Sequence, residues 1–185
     1  MRPRSAATGF RVLPKSALRL SRSCADRQQR CAPVLNKDFR EFVELLDSIG
    51  VEYLVVGGYA LAAHGHPRYT GDLDIWVRPT AENIDRVLDA LNRFGFASLG
   101  LRRSDFQTPG AMVQLGYAPS RIDLLTGLSG VEFDACYPRR VEVALAGLRL
   151  PFIGLDDFRA NKRAVGRPQD LADLDSLDGP NDVDP

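Results

Sequence analysis

The six residues Asp72-Leu73-Asp74-Ile75-Trp76-Val77 constrain this chain more than any other stretch. Side chains of a strand alternate between its two faces, so Leu73, Ile75 and Val77 point to a core and Asp72 and Asp74 share the other side. Their positions are about 7 Å apart along the backbone. Neighbouring carboxylates repel, and partial burial raises that cost. A divalent cation converts the penalty into binding, and ligands that are all oxygen suit magnesium or manganese. Asp-x-Asp also occurs in turns and on solvated edges. Here the apolar opposite face, and a glycine turn a helix's length upstream, favour a site.

A second acidic strand is read at Arg121-Ile122-Asp123-Leu124-Leu125, with Ile122 and Leu124 facing one way and Asp123 the other. If the two strands are neighbours, three carboxylates converge. That set is enough for two metal ions about 3.5–4 Å apart and an in-line phosphoryl displacement. In the competing arrangement Asp123 pairs with Arg121 or Arg102 and points to solvent.

Around these strands the pattern alternates between helix and strand. Asn36 is a good N-cap, and Phe39, Phe42, Val43, Leu46 and Ile49 recur at helical spacing up to a stop at Gly50. Tyr53–Val56 is a short buried strand ended by Gly57-Gly58, with a small helix over Tyr59–His64. Thr80 caps a helix carrying Ile84, Val87, Leu88, Leu91 and Phe94, which stops at Gly95. Strand-like runs follow at Ala111–Tyr117, Val141–Leu145 and Leu148–Ile153, the last two pairing across Ala146-Gly147. Helices at Leu155–Ala164 and Pro168–Leu177 close the fold. The expected class is α/β, a small mixed sheet flanked by helices.

The remaining candidates are Gly57, Gly58, Arg68, Thr70 and Lys162. Gly57-Gly58 either admits phosphate oxygens to the backbone amides or is a tight connection needing positive φ. Arg68 reads either as a phosphate ligand or as a solvated loop arginine, and Thr70 as a phosphate donor or a support for Asp72. Lys162 shares a helical face with Leu155 and Phe158, so it either enters the cleft or snorkels along the surface. Asp170, near the start of the last helix behind Pro168, is explained by its place at a helix N-terminus. His64-Gly65-His66 lacks a third nitrogen or sulfur ligand and reads as loop.

Taken together these residues resemble the nucleotidyltransferase superfamily of DNA polymerase β type, and within it the AbiEii-like branch that includes type IV toxins. The matching text is Val55-Val56-Gly57-Gly58-Tyr59-Ala60-Leu61, Arg68-Tyr69-Thr70-Gly71-Asp72-Leu73-Asp74-Ile75 and Ile122-Asp123-Leu124-Leu125. A softer C-terminal block is Asn161-Lys162-Arg163 with Arg167-Pro168-Gln169-Asp170-Leu171-Ala172-Asp173-Leu174. The resemblance spans roughly residues 38–177. It implies that Asp72, Asp74 and Asp123 bind Mg2+ or Mn2+, and that Asp123 helps deprotonate an attacking hydroxyl. The glycine turn would hold the phosphates of an NTP. The implied reaction moves a nucleotidyl group onto an RNA or protein hydroxyl, in a toxin–antitoxin or phage-defence setting with a possible antitoxin partner. Gly58 stands where many superfamily members have serine, and the short chain has no accessory domain to grip an acceptor. The alternative is a catalytically weak relative that acts by binding a partner protein.

Formal net charge is zero, with 24 basic and 24 acidic residues, so bulk charge points to neither nucleic acid nor membrane. The charges are unevenly spread: residues 1–33 carry eight Arg or Lys and one acid. That stretch reads as a disordered basic leader, 34–178 as the domain, and 179–185 as a loose acidic tail. Three cysteines without Cys-x-x-Cys spacing exclude a disulfide framework and fit a cytoplasmic setting. The longest nearly apolar run, Tyr53–Ala63, is about half the ~20 residues of a membrane span, so no membrane partner is expected.

Overall fold

The computed structural model describes residues 35–117 and 119–179, and the expectations for the leader and for nearly all of the tail lie outside them. The elements are α1 (Lys37–Ile49), β1 (Tyr53–Val55), α2 (Gly57–Ala63), β2 (Asp72–Val77), α3 (Ala81–Leu91) and β3 (Met112–Leu115). They continue as β4 (Arg121–Leu125), α4 (Phe133–Cys136), β5 (Val141–Leu145), β6 (Leu148–Phe152), α5 (Leu155–Val165) and α6 (Pro168–Asp178).

Local chemistry sets the ends of these elements. The Asn36 side chain accepts a hydrogen bond from the Phe39 amide at 2.8 Å, and Gly50 ends α1 in the left-handed region at φ 75°. Between those ends Phe39, Phe42, Val43 and Leu46 are buried on one side of the helix. Thr80 caps α3 through the Asn83 amide. The helix does not simply stop at Gly95. It runs into a wider turn over Asn92–Phe96 and bends where Gly95 takes φ 106°. Helix α2 starts at Gly57, two residues earlier than its sequence suggests, because both glycines join the first turn.

Six strands form one mixed sheet in the order β3-β4-β2-β1-β6-β5. β2 lies antiparallel to β1 and parallel to β4, while β6 joins β1 in parallel through Val55 and Phe152. β5 and β6 form the expected hairpin, with Ala146 and Gly147 both at positive φ. The central strands bury their apolar sides completely: Leu73, Ile75 and Val77 are inaccessible to solvent and share a core with Phe42, Val43 and Leu46. Each such side chain contributes roughly 1.5–3 kcal/mol relative to exposure. Register is therefore held by the core, since a shift of one residue would turn these side chains outward.

Candidate active site

In the parallel register of β2 with β4, Asp72 is paired with Arg121, Asp74 with Asp123, and Trp76 with Leu125. Directly paired residues share a face, so the alternation that buries Leu73 and Ile75 puts Asp72, Asp74, Arg121 and Asp123 on one surface. The strands expected to be neighbours are neighbours, and the three carboxylates lie on the same face of the sheet. Asp123 is only 2% exposed, which excludes the solvent-facing arrangement.

The local ion pair nonetheless forms. Arg121 grips Asp123 through Nε and Nη2, each 2.9 Å from a carboxylate oxygen, and Nη2 also reaches Asp72 Oδ2 at 2.5 Å. Arg121 was legible as a partner because Arg-x-Asp on a strand puts both side chains on one face, but its bridge to Asp72 depends on strand pairing. Asp74 belongs to none of the ion pairs among the described residues. Burial pushes its carboxyl up to about 6, the charges of Asp72 and Asp123 add to the shift, and Lys162 and Arg121 oppose it.

The glycine turn meets this surface by close approach. A Cβ on Gly57 would lie 1.9 Å from Asp74 Oδ2, and one on Gly58 would lie 2.8 Å from Thr70 Cβ and Oγ1. The Val56 amide also donates to the Asp74 carbonyl at 3.0 Å. These glycines let the turn lie against Asp74 and Thr70. Thr70 supports Asp72: its hydroxyl donates to Asp72 Oδ1 at 2.6 Å.

Arg68 and Lys162 belong to a second, buried cluster beside the carboxylates. Arg68 makes a two-pronged pair with Asp173, at 2.7 and 3.1 Å, in place of solvation in a loop. Lys162 is 5% exposed and does not snorkel, since its ammonium sits 2.7 Å from Asp170 and 2.9 Å from Asp173. Asp170 is more than a helix-end carboxylate, for it is buried and also accepts from Arg167 at 2.7 Å. For Asp173, burial raises the carboxyl, but hydrogen bonds from Arg68, Lys162 and Gln169 outweigh it and hold the group at about 2. Asp173 stood in the C-terminal block of the resemblance without a role, although its i,i+3 spacing puts it on one helical face with Asp170. The two clusters communicate: Lys162 and Arg167 act on the charge of Asp74, and Arg68 responds to both Asp72 and Asp74. His64 is tied to the Ile153 carbonyl at 2.9 Å, in keeping with a loop residue.

No three His, Cys, Asp or Glu side chains among the described residues are grouped as ligands for a metal ion. Arg121 engages two of the three carboxylates on the shared surface. Asp74, half-buried and outside these ion pairs, is the carboxylate whose charge a hard divalent cation would neutralise, and its oxygens are the donor type such a cation takes.

No family model matches the chain, and no curated protein does. Solved structures do resemble it. A Thermotoga maritima protein named as a candidate nucleotidyltransferase superposes with a TM-score of 0.51 at 15% identity, covering 75% of this chain and 88% of its own. The lincosamide antibiotic adenylyltransferase LnuA gives 0.49 at 13% identity, covering 79% and 98%. A nucleotidyltransferase-like antigen of Paracoccidioides brasiliensis gives 0.45 at 14% identity, covering 84% and 75%. The fold is α/β, a six-stranded mixed sheet flanked by helices, and it is the nucleotidyltransferase fold. No helix among the described residues is long and apolar enough to cross a membrane.

Proposed function

We propose that this chain is a metal-dependent nucleotidyltransferase that moves a nucleotidyl group from an NTP to a hydroxyl acceptor. The observation that carries the reading is the β2–β4 register, which sets Asp74 directly against Asp123 and brings Asp72 onto the same surface. In this reading Asp72 and Asp74 hold Mg2+ or Mn2+, with Asp123 beside them. The bound ion would supply charge stabilisation at the α-phosphoryl oxygens. Asp123 accepts the hydroxyl proton as the acceptor oxygen bonds to the α-phosphorus and pyrophosphate departs. Arg121 orients the Asp123 carboxylate, and Thr70 does the same for Asp72. Gly57 and Gly58 line the approach for the phosphates. Arg68 and Lys162, read from the sequence as nucleotide ligands, lie in the neighbouring cluster with their charges already taken by Asp170 and Asp173, and in this reading they back the phosphate end of the site through that cluster.

The finer expectations of an RNA or protein acceptor, an AbiEii-like lineage and an antitoxin partner rest on the sequence resemblance alone. A second reading, a catalytically weak protein that binds a partner, is favoured by one observation: Arg121 already spans two of the three acids. The deciding experiment incubates the protein with each α-labelled NTP, Mg2+ and total RNA or protein, and follows both transfer and pyrophosphate. Transfer that drops at least ~100-fold in Asp123→Asn supports the enzyme. Nucleotide binding with neither transfer nor pyrophosphate release sinks the enzyme reading and leaves a nucleotide-binding module. Transfer that survives Asp74→Asn sinks the metal assignment.

A further inference from the structure

Among the described residues the two most exposed large hydrophobic side chains are Tyr117 at 91% and Tyr69 at 84%, and the other exposed ones lie between 36% and 52%. Both sit on the loops that lead into the acidic strands: Tyr69 precedes β2, and Tyr117 precedes β4. Because β2 and β4 are parallel, these loops emerge at the same end of the sheet. They touch there, since the Arg121 amide donates to the Gly71 carbonyl at 3.4 Å.

Neither tyrosine hangs from a loose loop. Arg68, before Tyr69, is fixed to Asp173, and Thr70, after it, is fixed to Asp72 and packs on the Gly58 turn. Ser120 closes a turn on the Tyr117 carbonyl at 2.9 Å, and its hydroxyl accepts from the Asn36 side chain at 3.2 Å. Two rings are thus held in water on stapled backbone. Burying an aromatic ring is strongly favourable, so two rings fixed on the loops that enter the acidic strands offer stacking area to a ligand held at those acids.

We propose that Tyr69 and Tyr117 form the nucleobase seat of the site, stacking on the base of the bound NTP. The proposal rests on the nucleotidyltransferase reading and specifies it. Position favours the NTP over other occupants. Thr70, next to Tyr69 in the chain, contacts the Gly58 turn and Asp72, where in this reading the phosphates and their cation belong. Tyr69 is three residues before Asp72, a span of at most about 10 Å, which suits the ribose and base beyond an α-phosphate. Stacking on an aromatic face tolerates every base, so the seat adds affinity without selecting strongly among the four NTPs.

The test measures binding to the full chain in Mg2+ with two probes, ATP and inorganic tripolyphosphate. Wild type is expected to bind ATP more tightly than tripolyphosphate. The double variant Tyr69→Ala/Tyr117→Ala is expected to lose about fivefold or more in ATP affinity with tripolyphosphate unchanged, while Tyr69→Phe/Tyr117→Phe keeps both. Equal affinity of wild type for the two probes, or an alanine variant that binds ATP normally, overturns the seat and leaves the transferase reading standing. Failure of wild type to bind either probe overturns both. Both rings are exposed, so the variants are expected to fold, and unchanged tripolyphosphate binding reports it.

Discussion

Two residues decide how charge is held at the centre of the sheet. Asp74 ionises near 6 instead of 3.8, so the folded chain binds its proton more tightly than the unfolded one. That contributes stability which is full below about pH 4 and is lost as pH rises through the interval up to about 6. Its size is on the order of 2–3 kcal/mol. In EDTA, thermal unfolding of the wild type is expected to lose stability across this interval more steeply than Asp74→Asn. Mg2+ at pH 7.5 should stabilise the wild type and leave the variant unmoved. Identical pH profiles for the two proteins would remove Asp74 from its special environment. Gly57 is the complementary case. Its φ of +62° and the 1.9 Å approach to Asp74 Oδ2 both oppose a side chain, whereas Gly65 has φ +95° and nothing within 4 Å. Gly65→Ala is expected to lose about 1–2 kcal/mol from the backbone alone. Gly57→Ala should lose more and also weaken the Mg2+ response. Equal losses in chemical denaturation would show that the close approach does not matter.

Among the elements, α5 and α6 matter less for their length than for the charges they enclose. Lys162 neutralises two buried aspartates, so Lys162→Met should cost about 3–5 kcal/mol by leaving carboxylates short of a partner. Asp173, held at about 2, contributes stability that is present above pH 3.8 and is lost as pH falls towards 2. Asp173→Asn is therefore expected to lower stability at neutral pH and to flatten the acid limb between about pH 4 and pH 2. An acid titration followed by circular dichroism checks both features. The strands around the site were legible because apolar alternation and acidic alternation in β2 and β4 agree. The hairpin turn at Ala146-Gly147 and the caps at Asn36 and Thr80 were legible because single residues determine them. The fates of Arg68, Lys162 and Asp170 were not. Spacing puts a charge on a helix face or in a loop, but whether it meets phosphate, water or another buried charge depends on tertiary packing. The short turns over Ala97–Leu99 and Arg103–Phe106 escaped for a related reason, since three or four residues carry no usable period.

Across the whole molecule, the C-terminal helices close the fold around the loop that enters β2. A chain ended after Gly166 would lack Asp170 and Asp173 and leave the buried Lys162 without either partner. It is expected to lose the cooperative unfolding transition of the full chain. Retention of that transition would make α6 an appendage. The pairing of β2 with β4 reaches further still. Asp72 and Arg121 are 49 positions apart, so the carboxylate surface appears only when a long loop has closed. Loop closure costs entropy before contacts can repay it, and pairings distant along the chain are correspondingly slow to form. Local hairpins such as β5–β6 have no such delay. The acidic surface is thus a late product of folding, and a nascent chain that has released β2 but not β4 carries two of its acids without the third. Any chemistry that needs all three acids can therefore begin only after β4 has docked beside β2.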